Sequence, residues 1–218
     1  VVPGDELGDS SHKSGMGTYK KDNKIFAAQL GILDIRSGFV NVKPLSAKYI
    51  PRPGDSVIGM VQDVGASNWM VDVNCPYTAF LHGNETQWKV DFGAASQYLN
   101  IGDIILAKIG HVDETRRVNL TMKEHGLRKL ASGQITKIAH SKVPRVIGKA
   151  GSMISLLKEF TGCKIFVGQN GMIWIDGDID GIRKAVSAID IIDKGTSLHG
   201  LTDSVRQFLG GSAAPLEE

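Results

Sequence analysis

The sharpest chemistry in the sequence lies in Val143-Pro144-Arg145-Val146-Ile147-Gly148-Lys149-Ala150-Gly151-Ser152-Met153-Ile154. Its two glycines, three positions apart, carry no Cβ, so another backbone can lie against the turn they form. A helix is predicted to begin at Gly151-Ser152. The first N–H groups of a helix have no partner within it and sit at its positive end, which favours a phosphate. Lys149 adds a point charge. No acidic residue occurs between Glu124 and Glu159, whereas Arg128, Lys129, Lys137, Lys142, Arg145, Lys149 and Lys158 all do. The whole chain has 25 basic and 23 acidic residues and a net charge of +2, so this run is a local concentration of positive charge. That is the footprint expected of phosphate binding, with a merely solvated basic face as the bland alternative.

Other chemistries find less support. Hydrolysis of a phosphodiester calls for a metal-binding acid cluster or a histidine pair. Asp176, Asp178 and Asp180 alternate around Gly177 and Gly181, where they are expected to serve as turn and N-cap residues. His82 and His111 have no identifiable nucleophile or metal partner. Cys75 and Cys163 are too far apart for a ligand pair and read as two free thiols. No catalytic residue, metal or cofactor is expected.

The elements that must position these residues are short. Glycine contributes 26 of 218 residues without a Gly-X-Y period, which points to many turns and small modules. Residues 1–50 read as short strands, with a polar hairpin or loop at Ser10–Gly17 and strands at Ile25–Leu33 and Phe39–Lys43. Pro51-Arg52-Pro53-Gly54-Asp55 is a rigid boundary. Five strands follow, at Val57–Val64, Trp69–Val73, Thr78–Leu81, Ile104–Val112 and Val118–Met122, with a helical or irregular excursion from His82 to Asn100. Five strands with a long connection after the third suit a five-stranded OB barrel. The pattern then changes to β-α-α-β-β-α: Gln134–Ala139, Lys142–Ile147, Ser152–Phe160, Lys164–Val167, Met172–Ile175 and Asp180–Ile192. A short helix at Thr202–Leu209 and a frayed tail from Gly210 to Glu218 complete the reading. The fold class is multidomain, mostly β plus α+β, divided at 1–52, 53–126 and 127–218. No apolar run reaches a membrane span and the first residues lack a signal-peptide pattern, so a soluble cytoplasmic protein is expected.

Two resemblances sharpen the reading. The isoleucine-Gly148-Lys149-Ala150-Gly151 turn, the helix after it, the break at Thr161-Gly162 and the strand Lys164-Ile165-Phe166-Val167 resemble a KH domain. The resemblance implies a clamp on about four nucleotides of single-stranded RNA. Lys142, Arg145, Ile147, Gly148, Lys149, Ala150, Gly151, Ser152 and Ile154 would contact RNA there, with Ile147, Ile154 and the strand flooring an apolar groove. The barrel segment resembles an S1 domain through Gly54–Val61, Trp69–Val73, Ala79–His82, Gly102–Ile109 and Val118–Lys123. By that resemblance Trp69, Phe80 and His82 are candidates for base stacking, and Lys108, Arg116, Arg117 and Lys123 for phosphates. Trp69 and Phe80 could equally be core. Residues 51–130 carry 8 basic and 9 acidic side chains, so RNA affinity from the barrel alone should be weak.

The order S1 then a single KH, behind a small glycine-rich β domain, resembles the S1/KH cap subunits of the archaeal exosome. The resemblance implies a non-catalytic RNA-binding subunit. Three copies would sit on a hexameric ring of RNase PH-like subunits, residues 1–50 docking on the ring. RNA would then be guided into a central pore for 3′→5′ degradation. A stand-alone S1/KH RNA-binding or transcription-associated factor is the alternative.

Overall fold

The computed structural model describes residues 1–9, 11–44, 48–195 and 200–210. The chain divides into two compact units, residues 1–47 and 48–218.

The first unit contains six short strands: β1 (Glu6–Asp9), β2 (Lys13–Ser14), β3 (Thr18–Lys21), β4 (Lys24–Ala27), β5 (Gly31–Arg36) and β6 (Phe39–Pro44). They form two three-stranded sheets, in the orders β1-β4-β3 and β2-β6-β5. The β3–β4 hairpin turns at Asp22-Asn23, both with positive φ, which suits the right-handed twist of the strands it joins. Its core is small: Ile25, Ala27, Val40 and Val42 are buried. The continuous strand expected at Ile25–Leu33 is two strands in different sheets. Residues 28–30 make the crossing, held by the Ala28 N–H on Gly17 O and by Gln29 Nε2 on Val42 O at 2.8 Å. Within the polar hairpin or loop expected at Ser10–Gly17, of which Ser10 lies outside the described residues, lies β2, paired parallel to β6.

The second unit begins with a closed barrel of β7 (Ser56–Val64), β8 (Asn68–Asp72), β9 (Ala79–His82), β10 (Ile104–Val112) and β11 (Val118–Thr121). β7 pairs antiparallel with β8 and β10, β8 with β9, and β9 runs parallel to β11, whose antiparallel pairing with β10 closes the ring. This is the five-stranded OB arrangement expected. A sixth strand, β12 (Arg128–Leu130), pairs with Ile104–Leu106 of β10. Arg-Lys-Leu lacks the β-branched residues that mark a strand, so this edge was invisible to pattern. The excursion after β9 is irregular, with single 3₁₀ turns at Gly83–Glu85 and Ala95–Gln97.

The β-α-α-β-β-α module follows: β13 (Gln134–Lys137), α1 (Val143–Ile147), α2 (Ser152–Thr161), β14 (Lys164–Val167), β15 (Met172–Asp176) and α3 (Ile179–Lys194), then α4 (Leu201–Phe208). The antiparallel sheet has the order β13-β15-β14, leaving β14 at an edge. Ala185, Ala188, Ile189 and Ile192 of α3 are buried against Leu157, Ile173 and Ile175. Asp178 caps α3, its carboxylate accepting the Gly181 N–H at 3.1 Å, as its place in the sequence suggested. Of the tail expected from Gly210 to Glu218, all but Gly210 lies outside the described residues.

Barrel and module are locked together by one turn. Residues 168–171, between β14 and β15, reach into the barrel, where the Asn170 side chain is fully buried. Its Nδ2 donates to Ile58 O at 2.7 Å and Val73 O at 2.9 Å. Asn74 Nδ2 donates to Asn170 O at 3.1 Å, and the Gln169 N–H to Ser56 O at 2.9 Å. Gly171 has φ +78°, and a Cβ there would lie 2.5 Å from Ile138 O, so no other residue fits. Met172 and Trp174 extend the barrel's own apolar cluster. Tyr49 adds a second staple, packing edge-on against His140 and donating its hydroxyl to Asp55 at 2.7 Å. Burial first, then that carboxylate, hold its phenol well above the ordinary range.

Candidate nucleic-acid interface

The glycine turn is built from α1 and α2. Pro144 sits in the first turn of α1, where its missing N–H costs nothing. Gly148 ends the helix, its N–H returning to Pro144 O at 2.9 Å. Gly148, Ala150 and Gly151 have φ of +77°, +51° and +81°, so the backbone folds over itself and α2 starts with no side-chain cap. Lys149, Ala150 and Ser152 are exposed beside these N–H groups. Ile147 and Ile154 are half-buried against the core, and Ile165 and Val167 of β14 are buried in it. The arrangement offers a phosphate three things: backbone donors, one mobile cation and little steric bulk.

The two glycines serve different ends. A Cβ at Gly148 would lie 2.6 Å from Met153 N and 2.8 Å from Met153 Cβ, so Gly148 is demanded by the packing of α2 on the turn. At Gly151 the nearest atom would be Ile154 Cγ2 at 3.9 Å, so that side is open to a ligand.

Lys142 and Arg145, expected to contact RNA, are turned elsewhere. Lys142 Nζ donates to Asp193 O and lies 3.4 Å from Asp193 Oδ1, and Arg145 Nη1 donates to Gly195 O at 2.9 Å. The last carbonyls of α3 have no partner within the helix and carry its negative end, which draws both cations. Lys129 is likewise paired, with Asp103, and Arg128 lies over the Trp174 ring. The acid-free run therefore borrows acids from elsewhere. Lys137, Lys149 and Lys158 are exposed members, and Arg128 is exposed as well.

On the barrel, strand alternation decides which aromatics are available. Trp69 is fully buried and donates its indole N–H to Leu99 O at 3.0 Å, so it offers a base no face. Its neighbour Met70 points outward instead and pairs directly with Phe80. Asn119 lies across from Phe80 on β11, and His111 across from Asn119 on β10. His82, exposed at the end of β9, accepts the Asn84 N–H at Nδ1, which puts the proton of the neutral ring on Nε2. The outer row Met70–Phe80–Asn119–His111, with His82 at its corner, is the surface on which bases could stack. Met70, Asn119 and His111 were missed, because alternation within β9 links only Phe80 and His82 and the other three join them through pairing between strands.

The expected phosphate ligands ring this face in paired form. Lys108 Nζ contacts both Glu124 carboxylate oxygens, at 2.7 and 2.8 Å, and Lys123 pairs with Glu85 at 2.9 Å. The Lys123 ammonium, first, holds the Glu85 carboxyl below its usual range. Arg116, at φ +63°, lies over the Tyr77 ring and donates to its hydroxyl at 2.8 Å. Arg117 is exposed on the same turn, its N–H bonded to the Asp113 carboxylate at 2.8 Å. Among the described residues no group of three His, Cys, Asp or Glu is placed to hold a metal ion.

Comparison with known proteins gives three family matches along the chain. The family model described as KH domain matches residues 133–191, that described as RRP4, S1 domain matches 48–111, and that described as Exosome RNA binding protein RRP4 N-terminal domain matches 1–46. The chain is 47% identical over 210 residues to the exosome complex component Rrp4 of Thermoplasma acidophilum, covering 96% of this chain and 89% of that one. It is 43% identical over 209 residues to the protein of the same name from Methanosarcina acetivorans, covering 96% and 80%. A crystal structure assigned as an exosome complex RNA-binding protein superposes with a TM-score of 0.70 at 41% identity, over 75% of this chain and 95% of that one.

Proposed function

The chain belongs to the Rrp4 family of exosome complex components, and from that membership we propose that it is the RNA-binding, non-catalytic cap of such a complex. It captures single-stranded RNA and passes the 3′ end to a phosphorolytic partner. The observation that carries this reading is the joining of two RNA-facing surfaces in one unit. The open Gly148–Gly151 turn and the Phe80 face belong to modules fixed to each other through Asn170. A strand held at both is held in a defined direction.

The assembly proposed with it is three copies on a hexameric ring of RNase PH-type subunits, barrels around the pore, in the cytoplasm. Residues 1–47 are the docking element. Nine of the fifteen large apolar residues described as exposed lie in that unit, including Ile32, Leu33 and Ile35 on β5, which is an edge strand. Such a concentration on so small a domain is the signature of a protein interface. Each RNA surface alone is weak, and three tethered copies raise the effective concentration.

The test is reconstitution with RNase PH-like ring subunits. The full chain should co-elute with the ring and raise its rate on single-stranded RNA, while the pure chain leaves labelled RNA intact with phosphate and Mg²⁺ present. Shortening of RNA by the pure chain, or failure to join the ring, would overturn the reading. The stand-alone alternative is not favoured, because relatives aligned over nearly the whole chain are named as exosome components.

A further inference from the structure

Phe92 is the most exposed large apolar residue among those described, with 87% of its surface open to solvent. Leaving a phenylalanine side chain in water forgoes the gain of burying it. Its backbone is nevertheless fixed. Phe92 and Gly93 form the centre of a turn closed by the Ala94 N–H on Asp91 O at 3.0 Å, with Gly93 at φ +83°. That is the geometry of a type II turn, which holds the residue before the glycine outward. The loop behind it is braced by stacking of Trp88 on Tyr98, 5.5 Å apart, and by the Tyr98 hydroxyl on Lys89 O at 2.9 Å.

The turn is also tied to the barrel end that carries His82. The Gly93 N–H donates to Ala66 O, and the Gly83 N–H to Ser67 O, both at 2.8 Å, so one loop anchors both segments. Val90 packs over Gly83, the residue after His82, so closely that a Cβ there would meet it at 3.0 Å. The braced turn thus leaves from the His82 corner of the stacking row.

We propose that Phe92 is an additional base-stacking residue, which extends the Phe80–His82 surface by one nucleobase of single-stranded RNA. This rests on the RNA-binding reading of the barrel. A base needs one ring face and tolerates polar surroundings, whereas a protein interface needs a continuous apolar patch. Along the chain Phe92 stands between exposed Asp91 and Gly93, with exposed Lys89 nearby, while its apolar neighbours Trp88, Val90 and Ala94 are half-buried, so among the described residues no exposed apolar side chain adjoins it in sequence. Lys89 and Asp91 offset each other, so the contact would act through stacking rather than charge.

The test uses the full chain, a fluorescently labelled oligoadenylate and three variants whose melting should match the unaltered protein. Phe92→Ala and Phe92→Leu should each weaken binding about 5- to 100-fold, and Phe92→Trp should retain it. Phe92→Leu binding as tightly as the unaltered chain would overturn stacking, as would Phe92→Ala without effect. Normal RNA affinity with lost ring association in Phe92→Ala would overturn it too, and reassign the ring to a protein contact. Phe80→Ala measured beside them separates the readings. If Phe80→Ala weakens binding and Phe92→Ala does not, only the extension fails; if neither does, the barrel reading fails with it.

Discussion

Asn170, at the tip of the β14–β15 turn, donates its side-chain amide to the main-chain oxygen of Ile58 in β7, 112 residues earlier, at 2.7 Å. The same nitrogen serves Val73 O, so one buried amide closes two barrel carbonyls. Asn170→Ala leaves both without a partner in a place water does not reach. Each such group costs about 1–3 kcal/mol, so we expect a loss of about 2–4 kcal/mol in denaturant unfolding. Barrel and KH module should unfold in one transition in the unaltered chain and separate in the variant. An unchanged midpoint would remove the turn from what holds the modules together.

The glycine turn gives a paired prediction. Lys149→Glu with Ala150→Asp places acid on exposed positions, and Asp tolerates the positive φ at 150. RNA affinity at low salt should fall about 10-fold or more while melting stays put, because phosphate contacts dominate such binding. Gly148→Ala should do the reverse and lower the melting temperature, since its Cβ overlaps Met153. Fluorescence anisotropy and thermal melting on the same samples distinguish the two.

Strand alternation gives a second pair. Phe80→Ala should weaken RNA binding about 5- to 100-fold with little change in stability. Trp69→Ala should cost about 3–5 kcal/mol of folding free energy, because it empties the barrel core and abandons Leu99 O. A stable, folded Trp69→Ala with reduced RNA affinity would reverse the assignment of faces.

Lys123 is restrained by Glu85, and releasing it should help RNA. Glu85→Gln should raise affinity a few-fold at low salt, an effect that salt removes. The Glu85 carboxyl is lowered by its bond to Lys123, so the pair is intact above the ordinary carboxylate range and is lost as pH falls through the lowered value. The advantage of Glu85→Gln over the unaltered chain should therefore shrink as pH falls. A constant ratio across that window would show that Lys123 does not reach RNA.

Much of this was legible in the sequence, for reasons that differ by residue. The barrel and the β-α-α-β-β-α order announce themselves through β-branched runs and turn residues, and both are there. Trp69 stays open in the sequence between base stacking and the core because its type suits both, while the fold turns it inward and Met70 outward. Lys142 and Arg145 were misread because a run of cations carries no record of the acids and carbonyls that fold back onto it. Asp193 and Gly195 are about 50 residues away in sequence. The place of Asn170 has no sequence signal, since nothing local distinguishes a turn facing water from one inserted into a neighbouring barrel.

The Asn170 contact has a consequence for how the protein is made. Synthesis proceeds from the N-terminus, and domains begin folding as they emerge. Every strand of the closed barrel is available once Thr121 has appeared, yet Ile58 O and Val73 O wait for a side chain nearly fifty residues further along. Until then the nascent barrel carries an open seam at the site the turn will fill. The last step of barrel folding thus belongs to the KH module. A ribosome that stalls between the two releases an unfinished barrel, recognisable by protection of its strands but not of its junction.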